Sequence, residues 1–207
     1  MPYTENIMKI GIIGAGGIAQ AVAKQALGAG YEVILSNSRG PETLKAVVQR
    51  LGAGAAAGSV REAAQADLVV LAVQWSNVAK ALAGLPDWNG RILIDATNPT
   101  DGPPAFKLAD LGGKTSSQVV ASLAPGAHVV KALNTLIVAN LSADPREAGG
   151  RRVLFMSGDD ASAKKEVTKV LDRIGFATID LGSLSIGGAL QQFPGGPLPV
   201  HNLIKLG

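Results

Sequence analysis

Cysteine is absent from the 207 residues. Disulfides, thiolate metal sites and a cysteine nucleophile are thereby excluded. Histidine occurs only as His128 and His201, and tyrosine only as Tyr3 and Tyr31. There is no Ser-His-Asp grouping, no Tyr-x-x-x-Lys dyad of the short-chain dehydrogenase kind, and no His/carboxylate cluster for a metal. No catalytic side chain and no metal ligand are nominated. His128 reads as a strand residue without a catalytic role. Aromatic residues make up 4% of the chain, so the interior must be built from Ala, Val, Leu and Ile. That is common where parallel strands pack against helices. Charged residues are 17% and the formal net charge is +3. The basic residues are scattered and not interleaved with aromatics, which argues against a nucleic-acid partner. No stretch approaches the roughly 18 uninterrupted apolar residues of a membrane helix. The N-terminus, MPYTENIMK, lacks the charged-then-apolar layout of a signal peptide. A soluble, cytoplasmic chain is expected.

Hydrophobic residues, at 47%, are ample for a core, and there are 26 glycines. The length suits one large domain, or one domain plus a small C-terminal addition. Short apolar runs at Ile7 to Ile13, Tyr31 to Leu35, Asp67 to Val73, Arg91 to Ala96, Ala127 to Ala132, Arg151 to Ser157 and Phe176 to Leu181 read as strands. Ala53 to Gly58 reads as a weak one. Helical patterns fall between them, at Ile18 to Leu27, Glu42 to Leu51, Ser76 to Leu82, Ser116 to Leu123, Leu136 to Leu141 and Ala161 to Ile174. Residues 100–114 read as a loop. The segment SADPREAGG, at 142–150, is the only candidate linker, and it is short. One domain over residues 1–207 is expected, its segment 183–207 covering an acceptor site or a dimer interface. Strands alternating with helices at this spacing predict a parallel, doubly wound sheet.

Gly14-Ala15-Gly16-Gly17-Ile18-Ala19 fits G-x-G-x-x-A. A first glycine permits a tight turn out of a strand. A second lets the backbone approach a pyrophosphate, and a small third residue lets the helix pack close to the strand. The helix N-terminus then offers free N–H groups and a partial positive charge to phosphates. The pattern follows a predicted strand and opens a predicted helix, which is its confirming context. The fold class is therefore α/β: a Rossmann-type doubly wound parallel sheet with helices on both faces and a small C-terminal helical extension.

The residue that reads the adenosine ribose should end the second strand, about 20 residues past the glycines. An NAD site places a carboxylate there. This sequence has Ser36-Asn37-Ser38-Arg39. A carboxylate would repel a 2′-phosphate, whereas Arg39 attracts it through charge-assisted hydrogen bonds. Ser36, Asn37 and Ser38 can add neutral donors. NADP(H) is expected rather than NAD(H).

Ligands of such sheets lie across the carboxyl ends of the strands. Those ends carry Val73-Gln74-Trp75, Asp95-Ala96-Thr97-Asn98-Pro99 and Lys131-Ala132-Leu133-Asn134-Thr135. Val73, Gln74, Trp75, Val78, Ala96, Thr97, Asn98, Pro99, Ala132, Asn134 and Thr135 are the candidate cofactor contacts on this rim. Trp75 either packs on a ribose or covers the sheet edge. Asn98 and Asn134 either bond a carboxamide or cap turns. Lys131 lies in a strand whose alternation could turn it outward. A dehydrogenase acting on an alcohol needs an acid or base near the carbon that receives hydride. None is found, and an acceptor with a large heterocycle, which takes hydride directly, is weakly favoured.

The sequence resembles the F420-dependent NADP oxidoreductase family, and is similar to the oxidoreductase domain of the STEAP ferric reductases. The resemblance rests on the glycine motif, Asn37-Ser38-Arg39, Asp95-Ala96-Thr97-Asn98-Pro99 and Val129-Val130-Lys131-Ala132-Leu133-Asn134-Thr135. Phe155-Met156-Ser157-Gly158-Asp159-Asp160 and Asp180-Leu181-Gly182-Ser183-Leu184 add to it. It implies a soluble homodimer that stacks the nicotinamide of NADP(H) against F420, FMN or FAD, with no side-chain base for the hydride step. It also implies that Asn37, Ser38 and Arg39 hold the 2′-phosphate. The segment Gln191 to Pro197 departs from the archaeal enzymes, and it should cover the acceptor, so the acceptor stays open. The alternatives are an NADP(H)-binding redox sensor without turnover and an NADPH reductase of a small carbonyl or imine.

Overall fold

The computed structural model describes residues 7–207; the segment MPYTEN, part of the stretch read for a leader, lies outside them. The chain opens with β1 (Lys9–Ile13), α1 (Gly17–Gly28) and β2 (Glu32–Ser36). A 3-10 turn at Pro41–Leu44 leads into α2 (Lys45–Leu51), with Pro41 at the first turn, where its missing N–H costs nothing. β3 (Ala55–Ala57) and α3 (Val60–Ala63) follow; Ser59 and Glu62 close a capping box on α3. Next come β4 (Leu68–Leu71), a 3-10 turn at Trp75–Asn77, α4 (Val78–Leu82), β5 (Ile92–Asp95) and α5 (Ser116–Leu123), the last boxed by Thr115 and Gln118. β6 (His128–Ala132) leads to the five-residue α6 (Val138–Ser142).

β1 to β6 are all parallel, in the order β3-β2-β1-β4-β5-β6. The chain winds outward first on one side of β1 and then on the other. The crevice of such a sheet opens at the carboxyl ends where the winding reverses. Both faces are covered. Ile12, Val70, Ile94 and Val130 pack with α1 and the later helix α7 (Ala161–Ile174), while Ile13, Val69, Leu93 and Val129 pack with α3, α4 and α5. Strands buried on both faces read as continuous apolar runs, which is why they were legible.

Beyond β6 the doubly wound parallel sheet gains antiparallel strands that were not expected. β8 (Gly150–Gly158) runs antiparallel to β6. A parallel return needs a crossover of a dozen residues or more, usually a helix. α6 is only about 7.5 Å long at 1.5 Å per residue, so the chain stays at the carboxyl edge and comes straight back. The candidate linker at 142–150 is instead a hairpin: β7 (Arg146–Glu147) pairs with β8 across Ala148 and Gly149, both at positive φ. β9 (Ala177–Asp180) pairs parallel to β8. The C-terminal extension is only partly helical. α8 (Ile186–Gln191) is followed by β10 (Ile204–Leu206), which adds antiparallel to β8.

Candidate cofactor-binding site

The glycine turn is built from backbone. Gly14 has φ +128°, and a Cβ there would sit 2.1 Å from the Ala72 carbonyl oxygen, so only glycine passes between β1 and β4. A Cβ on Gly16 would meet nothing within 4 Å. The space in front of the α1 N-terminus is therefore open. No side chain caps that terminus and no acid occupies its first turn. Its N–H groups and dipole are unmatched, which fits a diphosphate. Ala19 is buried where α1 meets the sheet, and Ala15 and Ile18 are half-buried against the same core. A Cβ on Gly17 would lie 3.1 Å from Val138, which brings α6 beside the turn. Gln20 braces the turn by donating to the Ala15 carbonyl at 2.8 Å, a contact that the motif did not foretell.

At the end of β2 the readings diverge. Ser36 is buried and its hydroxyl donates to the Ile12 carbonyl at 2.8 Å. Its expected role as a neutral donor to a phosphate is corrected: it straps β2 to β1. Asn37 Oδ1 accepts from the Arg39 N–H at 2.9 Å, and its Nδ2 donates to Thr43 Oγ1 at 2.9 Å. Thr43, unremarked in the sequence, donates in turn to the Gly40 carbonyl at 2.8 Å. These bonds hold the loop in one shape. Ser38 and Arg39 are exposed on it, and Arg39 forms no ion pair among the described residues. The two nearby acids are engaged elsewhere, Glu32 with Lys9 and Glu42 with Lys45. No carboxylate opposes a 2′-phosphate here.

The second rim has a buried floor. Val78, Ala96, Thr97 and Ala132 are all buried. Val78 packs in the core under α4, so its side chain supports the rim rather than lining it. Val73 and Trp75 are half-buried against that same core, Pro99 is buried and Gln74 is exposed. The Thr97 hydroxyl and N–H both donate to Asp95 Oδ1, at 2.6 and 2.9 Å, which leaves no free donor on that side chain.

Lys131 is the main surprise. It does not turn outward: its side chain is 0% exposed, as is that of Asp95, and their charged atoms lie 3.2 Å apart. Lys131 Nζ also donates to the Thr97 carbonyl at 2.6 Å and to Ser116 Oγ at 3.2 Å. Ser117 donates to Asp95 Oδ2 at 2.6 Å. All three ammonium protons have partners. Burial pushes the Lys131 ammonium below the usual lysine range, and the Asp95 carboxylate opposes that shift. The pair locks the ends of β5 and β6 together.

Above this floor, Asn134 Nδ2 donates to Asn98 Oδ1 at 2.9 Å, and Asn98 Nδ2 donates to the Asn134 carbonyl at 3.3 Å. Thr135 is 2% exposed and its hydroxyl has no partner. Buried polar atoms are normally satisfied, so an orphan beside an open crevice marks a place for a ligand group. Leu133 and Val200 hold φ of +69° and +66° on either side of it, and Val200 N–H donates to the Thr135 carbonyl at 2.8 Å. Such strain in residues with a Cβ collects at binding sites. The C-terminal segment thus reaches the rim, where Phe193 meets Phe106 of the 100–114 loop edge to face at 5.3 Å.

The family described as NADP oxidoreductase, coenzyme F420-dependent, matches residues 9–99. The metalloreductase STEAP3 of Rattus norvegicus is 30% identical over 203 residues, which is 96% of this chain and 39% of that protein. The chain therefore spans well under half the length of this curated relative. The structure of a candidate F420-dependent NADP-reductase from Arthrobacter sp. FB24 superposes with a TM-score of 0.68 at 29% identity, covering 86% of each chain. The hypothetical protein SMa0349 from Sinorhizobium meliloti superposes with a TM-score of 0.91 at 45% identity, covering 98% of each. Residues 9–99 belong to the F420-dependent NADP oxidoreductase family.

The family match stops at Pro99, and Ala132, Asn134 and Thr135 lie beyond it. His128 begins β6, at the edge away from the crevice, beside Asp160 at 3.5 Å. His201 is exposed, 3.0 Å from the Pro197 carbonyl. His201 directly follows Val200, whose N–H bonds the Thr135 carbonyl, but its own ring bonds only Pro197 among the described residues. Ser116, Ser117, Ser157 and Gln191 join the buried polar contacts behind the rim; Ser157 and Gln191 lie in stretches the family resemblance singled out, but without this role, and Ser116 and Ser117 lie in none of those. Among the described residues no His, Cys, Asp or Glu cluster suits a metal, and no helix is long and apolar enough to cross a membrane.

Proposed function

We propose that this chain transfers hydride between NADPH and a flat deazaflavin or flavin acceptor: F420, FMN or FAD. The observation that carries the reading is the composition of the strand-end loops. Residues 72–75, 96–99 and 132–135 contain no titratable side chain, and the Asp95–Lys131 pair behind them is sealed and saturated. Reduction of a carbonyl needs a proton delivered in step with hydride. A deazaflavin or flavin ring takes hydride at a ring atom and its proton from solvent, so positioning suffices.

The chain's own residues have divided tasks. The open α1 N-terminus receives the diphosphate. Arg39 and Ser38 hold the 2′-phosphate on the loop that Asn37 and Thr43 shape. Asn98 and Thr135 orient the carboxamide. Phe106, Phe193 and the exposed Ile137 and Val138 offer apolar surface against which a ring system stacks and from which water is excluded. A homodimer and a cytoplasmic location go with this reading.

Anaerobic oxidation of NADPH followed at 340 nm tests it, with F420, FMN, FAD and no acceptor in parallel. An Fe(III) chelate with and without FMN belongs in the panel, because one relative is a metalloreductase. Turnover with F420 alone assigns the deazaflavin reaction, and turnover with FMN or FAD alone assigns a flavin reductase. Tight NADPH binding without reduction of any of them overturns the reading in favour of a sensor or a carbonyl or imine reductase.

A further inference from the structure

The loops at the carboxyl ends of β5 and β6 are held by a residue from outside the parallel sheet. Gln191, the last residue of α8, is fully buried. Its Oε1 accepts from Ser157 Oγ at 2.8 Å and its Nε2 donates to the Phe155 carbonyl at 3.0 Å. Its own carbonyl accepts from Asn134 Nδ2 at 2.7 Å. Since Asn134 Nδ2 also donates to Asn98 Oδ1, one polar chain runs Ser157–Gln191–Asn134–Asn98. α8 gets this close through two glycines. A Cβ on Gly187 would lie 2.5 Å from the Ser157 Cβ, and one on Gly188 would lie 3.1 Å from Thr115 Oγ1.

Counting donors separates the two asparagines. A side-chain amide nitrogen has two protons. Both protons of Asn134 are used within the protein, and its Oδ1 faces Gln191 Nε2 at 3.4 Å. Asn98 is half-buried and spends one proton on a long bond to the Asn134 carbonyl, so it retains a donor. Thr135 retains its whole hydroxyl.

We infer that Gln191 is a positioning residue for the nicotinamide end: with Asn134 it fixes the Asn98 amide, leaving Asn98 and Thr135 as the groups that meet the carboxamide. This deepens the proposed hydride transfer and rests on it. A partly satisfied buried network loosens every member, and a misplacement of about 1 Å near the reacting atoms can cost about 100-fold in rate.

The test compares wild type with Gln191→Met, which removes both side-chain polar atoms at similar volume and so frees the main-chain carbonyl that Asn134 bonds from its anchor on β8. Three quantities are measured: affinity for 2′,5′-ADP, which fills only the adenosine end, affinity for NADPH, and kcat with whichever of F420, FMN and FAD is reduced. The expected result is 2′,5′-ADP affinity within about twofold of wild type, with kcat down by about tenfold to 100-fold and NADPH binding weakened. Ser157→Ala removes one hydrogen bond to Gln191 and should shift kcat the same way by a smaller factor. It decides the matter if Gln191→Met does not fold. Equal loss of 2′,5′-ADP and NADPH binding overturns the inference, as does a variant that loses only thermal stability. If wild type binds NADPH but reduces none of F420, FMN and FAD, the proposed function falls. The inference then stands only if Gln191→Met weakens NADPH and not 2′,5′-ADP.

Discussion

The adenosine end and the nicotinamide end of the crevice are built on opposite plans. At the adenosine end the ligand-facing groups are open: bare backbone at Gly16, an unmatched helix terminus, and an exposed Arg39. At the nicotinamide end most polar groups are spent on each other, through Lys131 with Asp95 and Gln191 with Asn134. An anion needs only charge and N–H groups, and those can wait in water. A neutral carboxamide supplies little binding energy, so the groups that orient it must be rigid before it arrives.

The comparison predicts that substitutions at the two ends fail differently. Lys131→Met should have the largest effect. It leaves the Asp95 carboxylate buried without its partner, a loss of about 3–5 kcal/mol in urea unfolding. A loss under about 1 kcal/mol would show that the ends are not built differently. Arg39→Ala should act on the ligand alone. Unfolding should shift by less than about 0.5 kcal/mol, while NADPH binding weakens by about 1.5–3 kcal/mol, with NADH binding unmoved. Calorimetric titration of both nucleotides checks this, and equal weakening of the two would move the 2′-phosphate away from Arg39.

Thr135→Val should be milder. The hydroxyl it removes has no partner in the free protein, so stability should hold or rise by about 1 kcal/mol. NADPH use should still fall severalfold, read as kcat/KM. The smallest effect belongs to the exposed Glu62. Its hydrogen bonds from the Ser59 N–H and hydroxyl hold the carboxyl below its ordinary range. A lowered folded pKa contributes stability above the unfolded value of 4.5, lost as pH falls through the folded pKa. Any advantage of wild type over Glu62→Gln should therefore shrink between neutral pH and pH about 3. An advantage that grows on acidification would contradict the capping role.

The same division shows in what could be read from the chain. β1, β4 and β5 lie under helices on both faces, and such strands announce themselves as apolar runs. The glycine turn announces itself because Gly14 answers a local steric demand and Gly16 leaves the helix terminus bare. β8 is just as apolar, but its direction depends on how short α6 is and on a hairpin at Ala148-Gly149, neither of which an apolar run encodes. Ser36 looked like a donor because a hydroxyl at a strand end looks the same whether it faces a ligand or the Ile12 carbonyl. Alternation cannot tell a buried face from an open one when both are covered, which hid Lys131. The segment from Gln191 to Pro197 stands out in the sequence, but the partners of Gln191 lie far away along the chain, so its role is not legible there.

The most direct test is a crystal structure of the protein with NADP. The account predicts the diphosphate on the N–H groups before α1, the 2′-phosphate against Arg39, and the carboxamide bonded to Asn98 and Thr135 with the Asn134–Gln191 contact intact. A nicotinamide bonded to Asn134 after that contact has opened, or a 2′-phosphate away from Arg39, would contradict it.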